Sequence, residues 1–326
     1  MVYVYALCDV YYDSFYLKGL KEVYSFYTFN VDKFPKFRQG VFAVLIEEGD
    51  LNIKLIIDST DSNVISSEEL MWCDVYGKVN YNSCSIPEEY SHKIKPIGPS
   101  FAIKIWSLPF GIFMFLINFV KFHESISNKR EFLANYWRQN NRLPLEAYQS
   151  STSVDNYVFF AGSIWKNERM TNLARSKFIE ACKKNSTIVF EGGFTPRNDG
   201  DNLYFDNLVV SKRYSLKQYL KNSKRSTIVF NTPAVLSCHG WKLGEFLALG
   251  KVIVTTKHIN ILPADLENNV EVVYVNDIDL IENDVKAILQ NKQLRVNLGK
   301  NARTYFETYL APKSVIKKLL YPITTL

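Results

Sequence analysis

The 326-residue sequence lacks the cysteine and histidine patterns of disulfide frameworks and zinc sites. Its five cysteines are scattered without a CxxC pair, and its four histidines show no metal-ligand spacing. Such a set is typical of buried thiols in a reducing compartment. The N-terminus also has no basic region ahead of an apolar run, so we expect no signal peptide. These absences predict a cytoplasmic protein.

The sequence also lacks a GxGxxG fingerprint, internal repeats and low-complexity segments, which leaves no argument for a dinucleotide cofactor or a solenoid. Charged residues make up only 22% of the chain and hydrophobic residues 47%, a globular composition. The net charge of +6 suits an anionic ligand or membrane surface and is too small and dispersed to indicate nucleic acid. The length predicts two domains.

The most informative stretch is 226–256, which predicts a strand, a loop, a helix and a second strand. A β-branched and aromatic run ends where Pro233 interrupts it. We expect Ser237 to cap the helix and Gly250 to end it in a left-handed conformation. The run 251–256, with Val252-Ile253-Val254 at its centre, then predicts a buried parallel strand.

The N-terminus of this helix is a candidate phosphate site. A helix that follows a strand presents unpaired N–H groups and a positive dipole end at the strand's carboxyl edge. Gly240 allows a close backbone approach, His239 and Lys242 add donors, and Glu245 suits ribose hydroxyls. The alternative is an ordinary crossover helix in which Lys242 and Glu245 form a surface pair.

The segment HGWKLGEFLALGKVIVTT resembles the donor-site helix of GT-B glycosyltransferases, particularly the group-one, family-four-like superfamily. The resemblance extends over about 157–312. It implies an α/β fold of two Rossmann-like domains that face a cleft. It also implies that Glu245 binds the ribose of a nucleotide sugar. The superfamily often has a second Glu where this chain has Ser237, so the resemblance leaves inversion or retention open.

The same resemblance implies where a diphosphate would be bound. GT-B enzymes commonly place such contacts just after the first strand of the C-terminal domain, where Lys166 and Arg169 occur. Arg197 follows a second predicted strand and the Gly192-Gly193 pair, which we interpret as a turn that directs this cation towards the nucleotide. The alternative for all three is a solvated surface charge.

The N-terminal half offers two candidates for a catalytic base. His123 follows an apolar run, and Asp58 follows the second strand of a predicted hairpin around 47–50. Asp58 with Asp61, and Asp277 with Asp279, have spacings seen in metal sites, but turn and cap chemistry explains both pairs. We therefore predict no metal or other cofactor.

Residues 105–120 form an uncharged run of 16, interrupted by Pro109 and Gly111. A spanning helix needs about 20 apolar residues, so this run is too short. We favour a buried core segment or a cleft-lining loop, with a dip into the membrane interface as the lesser alternative.

Together these features predict an acceptor-side domain at 1–150, a donor domain at 151–310 and a terminal helix at 311–326 that packs back on the first domain. The predicted function is sugar transfer from a nucleotide diphosphate sugar to a hydroxyl of a glycan or lipid-linked acceptor, in surface polysaccharide biosynthesis. The alternatives are a non-catalytic glycan-binding or scaffold subunit and a nucleotide-sugar epimerase. We expect no nucleic-acid partner, and peripheral contact with the inner membrane face remains an option.

Overall fold

The computed structural model describes residues 1–37, 41–211 and 213–324. Helices and strands alternate along most of the chain, which confirms the α/β class. Contacts divide the chain into two compact units. The first contains Met1–Ala147, Ile261–Ala264 and the chain from Thr308 onward, and the second contains Tyr148–Asn260 and Asp265–Glu307. The domain bounds proposed from the sequence stay a prediction.

The first unit begins with these elements: β1 (Val2–Tyr5), α1 (Ser14–Tyr24), β2 (Thr28–Asn30), β3 (Val41–Glu48), β4 (Leu51–Asp58), α2 (Ser67–Trp72), β5 (Val75–Lys78), β6 (Ile94–Pro96), α3 (Leu108–Phe122) and α4 (Lys129–Asn140). The second unit contains β7 (Tyr157–Ser163), α5 (Arg169–Lys184), β8 (Val189–Thr195), α6 (Leu216–Arg225), β9 (Ile228–Asn231), α7 (Trp241–Ala248), β10 (Val252–Thr255), β11 (Val272–Tyr274), α8 (Ile281–Gln290) and α9 (Lys292–Tyr305). The chain then returns to the first unit with α10 (Pro312–Thr324).

The sheet of the first unit has the order β2-β1-β3-β4-β5-β6. All of its strands run in one direction except β3, which is antiparallel to both of its neighbours. The predicted hairpin is therefore present as β3 and β4. Its turn is shorter than predicted, because Glu47 and Glu48 pair with Asn52 and Leu51. Only Gly49, at φ +60°, and Asp50 are left to reverse the chain.

Helix α10 packs on α1 within the first unit. Gly19 makes the close approach possible, because a Cβ there would lie 2.3 Å from the Pro312 carbonyl oxygen. The buried residues Val315, Ile316 and Leu319 form its inner face. Helix α10 lies within the range 311–326 for which the sequence predicts a terminal helix, and the last two residues of that range lie outside the described part of the chain.

The second unit contains two groups of parallel strands, β7 with β8 and β9-β10-β11. The start of β7 is bonded to the residues that precede β9: the Thr227 N–H donates to the Tyr157 carbonyl at 2.7 Å. The Phe159 N–H donates to Ser226 Oγ at 2.8 Å. The Ser226 side chain therefore replaces one backbone hydrogen bond between β7 and β9. The five strands therefore lie in the order β8-β7-β9-β10-β11. In such a doubly wound arrangement, the crevice for a ligand opens between β7 and β9, where the strand order reverses.

Three of the expectations from the sequence are wrong in this structure. Helix α7 begins at Trp241 with Gly240 as its N-cap, so Ser237, at φ 58°, lies in a preceding turn and does not cap it. Gly192 and Gly193 are not a turn, because β8 runs through them. At Gly192 a Cβ would lie 1.8 Å from the Phe160 carbonyl oxygen, so the glycine is explained by the close approach of β7.

The third correction concerns 105–120, for which the sequence favoured a buried core segment or a cleft-lining loop. The structure forms α3 here, and only Gly111, Asn118 and Phe122 of this helix are buried. Composition alone does not separate a buried helix from an exposed apolar one. None of the helices in 1–37, 41–211 and 213–324 combines the length and apolar composition needed to cross a membrane.

The predicted end of the central helix at Gly250 is confirmed. Gly250 has φ +59°, its N–H donates to Leu247, and the N–H of Lys251 donates to Phe246, which completes a Schellman cap. A Cβ at Gly250 would also lie 2.8 Å from Ser150 Oγ and 2.9 Å from the Gly299 carbonyl oxygen.

We expect Gly250→Ala to destabilise the second unit through both the left-handed backbone and this steric overlap. Gly49→Ala is the matched control, since Gly49 has φ +60° and a Cβ added there would meet nothing within 4 Å. The control isolates the backbone cost of about 1–2 kcal/mol, and Gly250→Ala adds about 1–3 kcal/mol of overpacking. Urea unfolding measures both, and equal losses would contradict the steric argument.

Candidate functional site

The candidate site lies where β7 and β9 end, at the reversal of strand order in the second unit. A cavity of about 160 Å³ opens here between Ser163 at the end of β7, Thr232 after β9, and Gly240 at the start of α7. The N-terminus of an eight-residue helix therefore faces a cavity at the carboxyl edge of the sheet. Backbone N–H groups and the helix dipole at this end attract an anion.

Lys242, in the first turn of α7, reaches across this cavity to β7. Its Nζ donates to the Ala161 carbonyl and lies 5.0 Å from the centre of the Phe160 ring. The pKa of Lys242 is lowered to about 7, first by burial of the ammonium and then by the charge of Arg175, while Glu245 partly opposes both. The charged form of Lys242 is therefore poorly stabilised by the protein itself.

Arg175, on α5, is the second cation of the cavity. It is 6% exposed, its Nε donates to Thr232 Oγ1 at 2.9 Å, and its Nη1 donates to the Ser163 carbonyl at 2.7 Å. These bonds connect the ends of β7 and β9. Burial lowers the pKa of Arg175 to about 10, with Glu168 opposing this effect. Within the described ranges no carboxylate forms a salt bridge with it.

Sequence reasoning missed Arg175, because it lies in the middle of a helix outside any recognisable motif. The one available signal was its position on the buried face of α5, between Ala174 and Ser176. An arginine on such a face needs partners, and here they come from two strand ends that are distant in sequence. Lys242 and Arg175 together form what we call the cation pair.

Glu245 lies one turn beyond the cavity residues of α7. It is 4% exposed, and its carboxylate lies beside the phenol of Tyr219 on α6, where burial and then the Glu245 charge raise the pKa of Tyr219 well above its ordinary value. Glu245 does not line the cavity next to Lys242. Its proposed role at a ribose stays a prediction.

The other predicted residues of the α7 region take different places. Gly240 lines the cavity, as expected for an anion-binding turn. His239 is buried, and its ring lies 5.5 Å from that of His258, which follows β10. The Ser237 carbonyl accepts from Asn260 Nδ2 at 3.2 Å, which ties this turn to the loop after β10.

The three other basic candidates are not brought into the cavity. Lys166 and Arg169 are exposed on the loop and first turn after β7. Arg197, after β8, lines a neighbouring cavity of about 310 Å³ and donates to the Ile164 carbonyl at 3.1 Å. Its Nε also donates to Asp199 at 2.9 Å, and this bond raises the pKa of Arg197. Arg197 therefore already has an anionic partner.

The two candidate bases lie in the first unit. His123 follows α3 with its side chain 52% exposed, and its Nδ1 lies 3.2 Å from the Val120 carbonyl oxygen. Asp58 is fully buried, with Lys78 Nζ at 2.8 Å from Oδ2. Burial alone would raise the pKa of Asp58, but the charge and hydrogen bond of Lys78 and the bonds from Thr60 lower it. A proton-accepting role for either stays a prediction.

Comparisons with known proteins found matches only among solved structures. No family model and no curated protein matches the chain. The chain is similar to a glycosyltransferase from Rickettsia africae ESF-5, with 12% identity, a TM-score of 0.47, and coverage of 82% of this chain and 69% of that one. It is also similar to the C-terminal domain of the Francisella tularensis group 1 family glycosyl transferase LpcC, with 14% identity, a TM-score of 0.37, and coverage of 50% and 96%.

A third similar structure is TarM of S. aureus, with 16% identity, a TM-score of 0.40, and coverage of 53% of this chain. The chain spans only 36% of that TarM chain. Two of these three similar structures are glycosyltransferases by name, one of them from the group 1 family that the α7 segment resembles. At these identities the likeness concerns the fold.

Proposed function

We propose that the protein is a GT-B glycosyltransferase that moves a sugar from a nucleotide diphosphate sugar to a hydroxyl of a glycan or lipid-linked acceptor. The cation pair is the observation that carries this proposal. Two positive side chains, each with a lowered pKa, meet at a helix N-terminus beside a cavity. Such an arrangement is costly to the folded protein unless an anion binds between them.

A diphosphate fits this arrangement better than a single carboxylate. Its two phosphate groups reach the α7 N–H groups, Lys242 and the guanidinium of Arg175 together, and planar guanidinium groups suit phosphate oxygens. The proposal also assigns Glu245 to the ribose, as the resemblance of its helix implies. Cations already positioned at the leaving group need no reorganisation when the reaction occurs.

In the proposed reaction the bond between the anomeric carbon and the diphosphate oxygen breaks, and a bond from that carbon to the acceptor oxygen forms. The nucleotide leaves with an additional negative charge, which the cation pair stabilises. The hydroxyl proton passes to a base, for which His123 remains the candidate from the sequence. The positive charge comes from side chains, so the proposal needs no metal.

The sugar class, the pathway and the cellular location are also proposed. We propose a hexosyltransferase that acts in surface polysaccharide biosynthesis, at the cytoplasmic side of the membrane with a peripheral contact to it. The acceptor class follows from the resemblance of 157–312 to the group-one superfamily.

We expect one nucleotide base to be selected in a thermal-shift panel of UDP, GDP, CMP and their sugars. A ligand at 100 times its dissociation constant stabilises the folded protein by about 2.7 kcal/mol, which raises the melting temperature by a few degrees. Glu245→Gln preserves side-chain volume and should reduce the shift, while Glu180→Gln, on the exposed side of α5, should not.

The second measurement is nucleotide release with and without a panel of glycan acceptors. Acceptor-dependent release supports the transferase, and conversion of the sugar without an acceptor would point to an epimerase. Selective binding without any turnover would favour a scaffold subunit. If no nucleotide shifts the melting temperature at millimolar concentration, the donor-site proposal fails.

A further inference from the structure

Helix α3 exposes an apolar surface that the donor site does not use. Its 15 residues are predominantly apolar, and few of them are buried. The exposed fraction reaches 73% at Val120. Monomeric proteins rarely expose large contiguous apolar patches without a function for them. We call the following six exposed residues the α3 face: Phe110, Ile112, Phe113, Leu116, Ile117 and Val120.

The opposite side of α3 is fixed against α4. The Phe115 ring lies 5.6 Å from that of Tyr136, and Asn118 Nδ2 donates to the Tyr136 hydroxyl at 2.8 Å. Trp106, just before the helix, stacks on the same tyrosine at 5.7 Å. The α3 face is therefore held outward by a packed inner side.

Helix α4, which packs on the inner side of α3, also exposes apolar residues. Leu133 and Trp137 lie four residues apart, hence on one side of α4, and are 50% and 62% exposed. An exposed tryptophan beside an apolar helix is typical of proteins at a membrane interface, where its ring sits at the level of the lipid headgroups.

The charges around this surface are mostly positive. Residues 101–142 contain six Lys or Arg and two Asp or Glu, a net +4 out of the +6 of the whole chain. Three of the basic residues, Lys121, Lys129 and Arg130, are exposed at the end of α3 and the start of α4. Basic residues next to an apolar face favour an anionic lipid surface.

We propose that the α3 face is a docking surface for an anionic lipid bilayer, with α3 lying in the plane of the interface. A 15-residue helix is about 22 Å long, which is shorter than the roughly 30 Å hydrocarbon core. A second copy of this chain is a poorer partner, because a two-fold interface through α3 would place two sets of Lys121, Lys129 and Arg130 at one interface, where basic residues outnumber acidic ones. The inference specifies the membrane contact of the proposed function and does not depend on the transferase reaction.

Cosedimentation of the full chain with vesicles tests the inference. We expect binding to vesicles of equimolar phosphatidylcholine and phosphatidylglycerol, and little binding to phosphatidylcholine alone. Phe113→Glu should weaken binding by about tenfold or more, and Lys129→Gln by about fivefold. Val64→Glu is the control, because Val64 is also an exposed apolar residue of the first unit, at 67% exposure, outside α3 and α4.

Trp137 provides a readout that does not depend on sedimentation. Vesicle binding should shift tryptophan emission to shorter wavelength, and Trp137→Phe should remove most of that shift while binding persists. Urea unfolding of Phe113→Glu checks that the variant is folded. The inference is overturned if wild type ignores anionic vesicles, binds neutral ones equally well, or forms a dimer that Phe113→Glu dissociates.

Discussion

Lys242→Met should lower kcat/KM for sugar transfer by about 100-fold or more, the effect of removing one preorganised charge donor at a leaving group. In the proposed donor complex, the ammonium of Lys242 would turn from the Ala161 carbonyl to the diphosphate. Methionine keeps the apolar stem that lies against Phe160, so the change removes mainly the charge. Steady-state kinetics with the identified donor and acceptor measures the loss.

Lys251→Met is the matched control for this prediction. Burial also lowers the pKa of Lys251 to about 7, and it donates to Ser153 Oγ at 2.8 Å and to the Lys224 carbonyl at 3.0 Å. Lys251 precedes β10, however, at the amino edge of the sheet and away from the cavity. Its replacement should leave kcat/KM unchanged.

Proton uptake separates a direct role of Lys242 from a structural one. A bound diphosphate favours the charged ammonium, so it raises the pKa of Lys242 from about 7 and donor binding near pH 8 takes up protons. Calorimetry in buffers of different ionisation enthalpy counts them. Lys242→Met should abolish the uptake and Lys251→Met should preserve it. The same uptake in both variants would rule out the contact.

The region around α7 was predictable because its signals are local. The apolar pattern, Gly250 and the following β-branched run all lie within one short stretch, and they define the helix end and β10. The helix start was predicted too early because Ser237 is a good capping residue by type. In the structure its carbonyl is bonded to Asn260, which sequence reasoning did not include.

Arg175, the second member of the cation pair, was not predictable from the sequence, because contacts with residues distant in sequence create its role. Arg175 becomes a site residue only through Ser163 and Thr232, which are 12 and 57 residues away. The Gly192-Gly193 pair has the composition of a turn, but the neighbouring β7 keeps it extended as a strand. In both cases, contacts with a strand elsewhere in the chain decide the outcome and the local sequence does not.

Lys78→Met should lower the free energy of unfolding by about 3–5 kcal/mol, because it leaves the Asp58 carboxylate buried without its cation. Both side chains are fully buried, and Asp58 also accepts from Thr60 and from the Tyr76 hydroxyl, at 2.8 Å in the latter case. The double variant Asp58→Asn/Lys78→Met should recover much of this loss, since neither buried charge then remains. Urea unfolding of the three proteins measures the difference.

The decrease of the free energy of unfolding at low pH should depend on the same pair, Asp58 and Lys78. The pKa of Asp58 is lowered in the folded protein, so its contribution is present above the unfolded value of about 3.8 and is lost as the pH falls through the folded value. The double variant should lack this contribution.

The double variant also decides between the two interpretations of Asp58. If Asp58 only stabilises the fold, the folded double variant should transfer sugar at a rate close to wild type, because Lys78 and Asp58 are removed together. If Asp58 accepts the acceptor proton, transfer should fall by about 100-fold or more even where the variant is fully folded. We expect the first result, since a carboxylate fully enclosed with Lys78, Thr60 and Tyr76 has no exposed oxygen for a hydroxyl to approach.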